Sequence, residues 1–303
     1  MMILEGIVAG IVSNVISGIL KEYITRRLFP RPLERKEIER AVEKYLAQYP
    51  GFGYTSGSLI TLVNSQWSEV MDRLGPAISP ELRVETSDRR TTGWVQRFAG
   101  RGGGISIYSS RYGTYPIWGE IGKCYEHLGG TASRLGFPTT LELPAAPSSR
   151  GTTGRVQRFE GNGDGANLWD EPNRVFIGVS IYSSRYGTYP TWGEIGKCYE
   201  RLSGTASRLG FPISPELRAE TADRRTTGWV QRFEGGWDSS KGWNDTHEVS
   251  IYASRHGAHP VWGEIAEHYK ACGGTRSFLG FPTSAEEWLN GWIQHFEGGD
   301  LRQ

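Results

Sequence analysis

A β-rich α+β fold is what the sequence predicts: four hairpin-plus-short-helix repeats closed into a propeller-like ring, preceded by two N-terminal helices. Three observations lead there. The first is internal repetition, since Arg111–Tyr125, Arg185–Tyr199 and Arg255–Tyr269 nearly superimpose, with Trp118, Trp192 and Trp262 spaced 74 and 70 residues apart. The second is composition: 41 Gly, 11 Trp and 14 Tyr suit short strands joined by tight turns and packed by large rings. The third is balance, because 34 basic against 33 acidic residues leave a net charge of +1, too weak a field to recruit nucleic acid.

The elements follow in chain order. Residues 2–20 form an apolar run, with Lys21, Arg26, Arg27, Arg31, Arg35 and Lys36 after it rather than before it. A secretory signal has the opposite order, and the positive-inside tendency then holds the remainder in the cytoplasm, at the inner face of a membrane. Gly6, Gly10, Ser13 and Ser17 share one stripe of this first helix, a small-residue face suited to membrane contact or self-association into a homo-oligomer. A second, amphipathic helix runs from about Glu34 to Gln48, set off by Pro30 and Pro32, and residues 1–50 are taken as one N-terminal region.

Residues 51–303 then read as one repeat domain, with copies at about 66–110, 111–184, 185–254 and 255–303. The shortened first copy shows itself because Glu81–Phe98 matches Glu216–Phe233. Within a copy, Val179–Tyr182 and Gly228–Phe233 alternate apolar and polar residues and are strand candidates expected to pair in hairpins. Trp192, Ile195, Tyr199 and Leu202 recur at helical spacing, and Gly204 stops that helix. The last strand, Gly291–Phe296, has no following segment like Val249–Tyr252, so 58–64 is expected to pair with it and close the ring.

Each copy ends on a turn: Arg134-Leu-Gly-Phe-Pro138, Arg208-Leu-Gly-Phe-Pro212 and Phe278-Leu-Gly-Phe-Pro282, the first copy keeping only Leu74-Gly-Pro76. Glycine supplies positive φ, proline sets the exit, and the phenylalanine is a core plug. With the Gly-Gly-Thr-Ala-Ser before the second copy's turn and the Gln-Arg-Phe-Glu-Gly strands, these residues resemble the LGFP repeat family. That resemblance implies a non-catalytic, cell-wall-associated module attached to envelope polysaccharide beside a separate enzyme, with the cell envelope as the alternative location.

Motifs of catalysis are missing from the sequence: no Gly-x-Ser-x-Gly elbow, His-Glu-x-x-His, phosphate loop or Cys-x-x-Cys occurs. Glu120, Glu194 and Glu264 recur where a helix start favours a carboxylate, and the six histidines are scattered, so no enzyme, metal or cofactor is expected. Binding residues are sought where copies differ. The insertions after Gly161 and Gly236 hold Asp164, Trp169, Trp237, Asp238 and Trp243, the aromatic and carboxylate mixture that suits a glycan or another small ligand. Tyr115, Tyr189 and His259, just before the Pro-x-Trp-Gly turns, form a second set. The leading expectation is therefore a glycan- or small-ligand-binding module, and the alternative a membrane-associated or self-assembling effector.

Overall fold

The computed structural model describes residues 72–100, 103–161, 179–238 and 249–303 continuously, with 168–170, 175–177, 243–244 and a few positions nearer the start. The first sheet holds β1 (Leu74–Ala77), β2 (Leu82–Glu85), β3 (Thr92–Gly100), β4 (Ile105–Ser110) and β5 (Gly113–Ile117), and α1 (Gly119–His127) follows it. Next come β6 (Leu143–Pro144), β7 (Gly154–Arg158), a short ribbon of β8 (Leu168–Asp170) and β9 (Val175–Ile177), then β10 (Ser180–Ser184), β11 (Gly187–Thr191) and α2 (Gly193–Arg201). The third set is β12 (Leu217–Glu220), β13 (Thr227–Phe233), the ribbon β14 (Trp237–Asp238) and β15 (Trp243–Asn244), β16 (Val249–Ser254), β17 (Gly257–Val261) and α3 (Gly263–Ala271). The last is β18 (Glu287–Trp288), β19 (Trp292–Phe296) and β20 (Gly299–Arg302).

Four main antiparallel sheets result, each built on the Gly-x-Val/Ile-Gln strand, in the orders β1-β3-β4-β5 with β2 also on β3, β6-β7-β10-β11, β12-β13-β16-β17 and β18-β19-β20. The described residues fall into two compact units. One contains the first sheet, α1 and Gln157; the other contains the third and fourth sheets with α2 and α3.

The Pro-x of the Pro-x-Trp-Gly motif, read from sequence as a turn, ends a strand. Ser110 pairs with Gly113, Ser184 with Gly187 and Ser254 with Gly257, so Arg-Tyr or Arg-His makes a two-residue hairpin turn and the next five residues run back as an edge. Pro116, Pro190 and Pro260 are tolerated there because an edge strand has one side free of ladder donors. Proline thus marks the edge rather than the end of the sheet.

Ring closure is corrected by β20. Residues 58–64 lie outside the described residues, but the place they were expected to take beside β19 belongs to Gly299–Arg302, paired Ile293↔Arg302 through Phe296↔Gly299. The local Glu297-Gly298 turn closes this hairpin over two residues, whereas a strand more than 200 residues earlier would add a large loop-closure cost. Both sides of β19 are occupied, and the four main sheets and two ribbons of the described residues make no closed barrel or propeller. The two N-terminal helices also lie outside the described residues.

Each helix buries one face. Tyr125, Tyr199 and Tyr269 stack on Phe159, Phe233 and Phe296 with ring centroids 5.1, 4.8 and 4.7 Å apart. Their hydroxyls donate to the carbonyls of Gly136, Gly210 and Gly280 at 2.8, 2.6 and 2.6 Å. The helix therefore holds the Leu-Gly-Phe-Pro turn in place by a buried hydrogen bond as well as by packing.

Candidate functional site

The repeated turn is the centre of a joint. Leu135 and Phe137, Leu209 and Phe211, and Leu279 and Phe281 are each 0% exposed. The intervening glycines have φ of 68, 67 and 66°. Added Cβ atoms there would lie 2.6, 2.4 and 2.4 Å from Glu160, Glu234 and Glu297. Those glutamates, from the Phe-Glu-Gly strand ends, accept the N–H of Phe137, Phe211 and Phe281 at 2.9, 3.2 and 3.0 Å. Their other oxygens accept the hydroxyls of Thr91, Thr152 and Thr226 at 2.7, 2.8 and 2.6 Å. Two residues beyond each threonine, Gly93, Gly154 and Gly228 leave the space that Phe137, Phe211 and Phe281 fill, since a Cβ would come within 2.7, 2.6 and 2.9 Å of those rings. Thr-Thr-Gly is the socket, and Leu-Gly-Phe-Pro with its glutamate is the plug.

The recurrent glutamine of the strand is likewise structural. Gln157, Gln231 and Gln294 donate to the carbonyls of Pro116, Pro190 and Pro260 at 3.1, 2.9 and 2.9 Å. The tryptophans of Pro-x-Trp-Gly are saturated too. Trp192 and Trp262 donate their indole N–H to Glu216 and Glu286, and Arg73 and Arg208 lie 5.9 and 5.1 Å over Trp118 and Trp262.

Electrostatics differ among these joints. Burial pushes the Glu160 carboxyl up, opposed by the bonds from Phe137, Thr91 and Tyr112. At Glu297 burial acts in the same sense, but the Phe281 N–H, the Thr226 hydroxyl and His256, 2.9 Å away, together hold the carboxyl below the usual range. Burial raises the Cys124 and Cys198 thiols to about 11, so neither is a ready thiolate.

The residues proposed from sequence for binding do not form one cluster among the described residues. Tyr115 is 1% exposed, with its hydroxyl donating to the Tyr112 carbonyl, so it is a packing residue. His259 does the same with a ring nitrogen, 2.9 Å from the His256 carbonyl, and Tyr189 is half-buried in the equivalent strand. In the ribbons, Trp237 pairs with Asn244 and Asp238 with Trp243, and Trp169 lies in β8. Asp164, Gly6, Gly10, Ser13 and Ser17 lie outside the described residues. No described helix is long and apolar enough to cross a membrane, and no group of three or more metal-ligating side chains occurs among the described residues.

Sequence reasoning passed over Trp94, Trp229 and Trp292, one in each of three sheets, which are 47, 43 and 38% exposed. Each follows the socket glycine or its counterpart Gly291, and the second copy has Arg155 there. A position that accepts Trp in three copies and Arg in the fourth cannot be a core position, and that was the available signal. Trp288 faces Trp292 across β18–β19, with ring centroids 5.4 Å apart.

No curated protein matches the chain. The model of the LGFP repeat family matches residues 74–133 and 209–277, so the chain carries sequence similar to that repeat in two stretches.

Proposed function

We propose that the repeats form a non-catalytic binding module that takes a glycan on exposed tryptophans. The observation that carries this is the recurrence of Trp94, Trp229 and Trp292 at one strand position, each at least a third exposed although a tryptophan gains more by burial. An indole face left in water at a repeated position suits the apolar face of a sugar ring. A binding rather than catalytic use agrees with the recurrent glutamates of the joints, since Glu160, Glu234 and Glu297 each accept a backbone N–H and a threonine hydroxyl in the same way. Cell-wall association, which the family suggests, makes envelope polysaccharide the first ligand to try.

Co-sedimentation with insoluble envelope polysaccharide, alongside a panel of soluble glycans, tests the proposal. The triple variant Trp94→Ala, Trp229→Ala, Trp292→Ala should keep its fold and bind at least about tenfold more weakly, the equivalent of about 1.4 kcal/mol. Undiminished binding by that variant, or no binding of any glycan by the unaltered chain, refutes it.

A further inference from the structure

The proposed glycan reading leaves open which sugars the tryptophans select, and their cross-strand neighbours bear on it. Arg83 of β2 stands directly opposite Trp94, and Arg218 of β12 directly opposite Trp229. Directly opposed side chains share a face with Cβ atoms about 5 Å apart. On the other flank the partners are small, Ser109 opposite Trp94 and Ala253 opposite Trp229, so no large group covers the ring from that side. Both arginines are exposed, and neither makes an ion pair among the described residues.

The carboxylates nearest in these strands are already engaged. Glu85 pairs with Arg89 at 3.6 Å, and Asp88 with Arg90 at 3.3 Å. Glu220 pairs with Arg224 at 3.7 Å and with Arg276 at 3.2 Å, and Asp223 with Arg225 at 3.3 Å. Each hairpin, 82–100 and 217–233, carries four arginines against two carboxylates, with one further glutamate, Glu81 or Glu216, directly before its first strand. The fourth sheet lacks the arrangement: Trp288 stands opposite Trp292, and 287–302 carries three carboxylates against Arg302.

We infer that the Arg83–Trp94 and Arg218–Trp229 pairs are two copies of a subsite for anionic saccharides, the indole taking the sugar ring and the guanidinium its carboxylate or phosphate. This rests on the proposed glycan function and narrows it. A guanidinium offers a planar fork of donors to such oxyanions, and an uncompensated one beside an aromatic plane favours a charged ring over a neutral one of the same shape.

Titration calorimetry on the full chain tests it with tetragalacturonate, a phosphorylated oligomannoside and neutral maltotetraose. The acidic ligands, or one of them, should bind at least about tenfold tighter than the neutral one, with the preference falling as salt rises. The double variant Arg83→Ala, Arg218→Ala should lose that preference and retain neutral binding; Arg→Lys at both positions should restore part of it; Trp94→Ala with Trp229→Ala should weaken every ligand. Unchanged acidic binding in the arginine variant, or equal affinity for neutral and acidic sugars, overturns the inference while leaving the glycan proposal standing. Absence of binding to any saccharide overturns both. Equal or tighter binding of a single-stranded oligonucleotide would also overturn it, since the anion and ring would then belong to nucleic acid. All these side chains are exposed, so thermal unfolding near the unaltered midpoint verifies that the variants fold.

Discussion

The joint at Glu160 and the joint at Glu297 share one plan: a buried phenylalanine, a left-handed glycine pressed against a carboxylate, a backbone N–H and a threonine hydroxyl. They differ in the third neighbour. Tyr112, with Arg111 beside it, stands near Glu160, whereas His256 and Arg255 lie 2.9 and 3.3 Å from Glu297. One carboxyl is accordingly held above its ordinary range and the other below it. The plug and socket are common property of the copies; burial, deeper at Glu160 than at Glu297, keeps the first carboxyl up, while the bonds from Phe281, Thr226 and His256 outweigh it at the second.

The largest perturbation removes what the two joints share. Phe137→Ala and Phe281→Ala should each cost about 3–5 kcal/mol in urea unfolding, because each ring is fully buried and fills a space shaped by a glycine of the preceding sheet. Losses below about 1 kcal/mol at either would mean the two joints are not equivalent supports. Gly136→Ala and Gly280→Ala should follow at about 2–3 kcal/mol, from the unfavourable φ alone and before any displacement of the glutamate.

The smallest effect separates the joints, and its sign is the test. Glu160 has a raised folded pKa, so its protonated form contributes stability that is complete below the unfolded value of 4.5 and is lost as pH rises through the folded pKa. Glu297 has a lowered one, so its contribution is present above 4.5 and disappears as pH falls through the folded pKa. The stability difference between the unaltered chain and Glu160→Gln should therefore shrink with rising pH, and that for Glu297→Gln should shrink with falling pH. Parallel pH profiles would show that His256 does not govern its joint.

Much of the repeat was legible in the sequence. Three Leu-Gly-Phe-Pro tetrapeptides announced a turn with a plug, and Trp192, Ile195, Tyr199 and Leu202 announced a helix, found at Gly193–Arg201. The socket was not legible, because Thr91 and Glu160 are 69 positions apart and Thr152 and Glu234 82 apart, and neither pair carries a local signal. The exposed tryptophans were hidden by a misleading alternation. In Gly-Trp-Val-Gln the polar Gln231 is fully buried by bonds to Pro190 and Ser214 while Trp229, on the same side of the strand by its period of two, stands in water. Closure by 58–64 failed because pattern matching looked for a strand resembling Val249–Tyr252, and β20 pairs through its backbone without resembling it.

The first copy has its own version of the turn. Ala77 pairs with Phe98 and the Ile78 N–H donates to the Arg97 carbonyl, the same register as Pro138 with Phe159 and Thr139 with Arg158. Pro76 stands where the others have phenylalanine, and Ala99 where they have glutamate. Proline has no N–H to donate, so nothing is left for a carboxylate to accept, and the two exchanges cancel. Made at a buried joint such as Phe137 with Glu160, either one alone would strand a buried donor or a buried charge. The plug is therefore a pair of positions that must change together, and any redesign that retires a joint in this array has to be written as a double substitution.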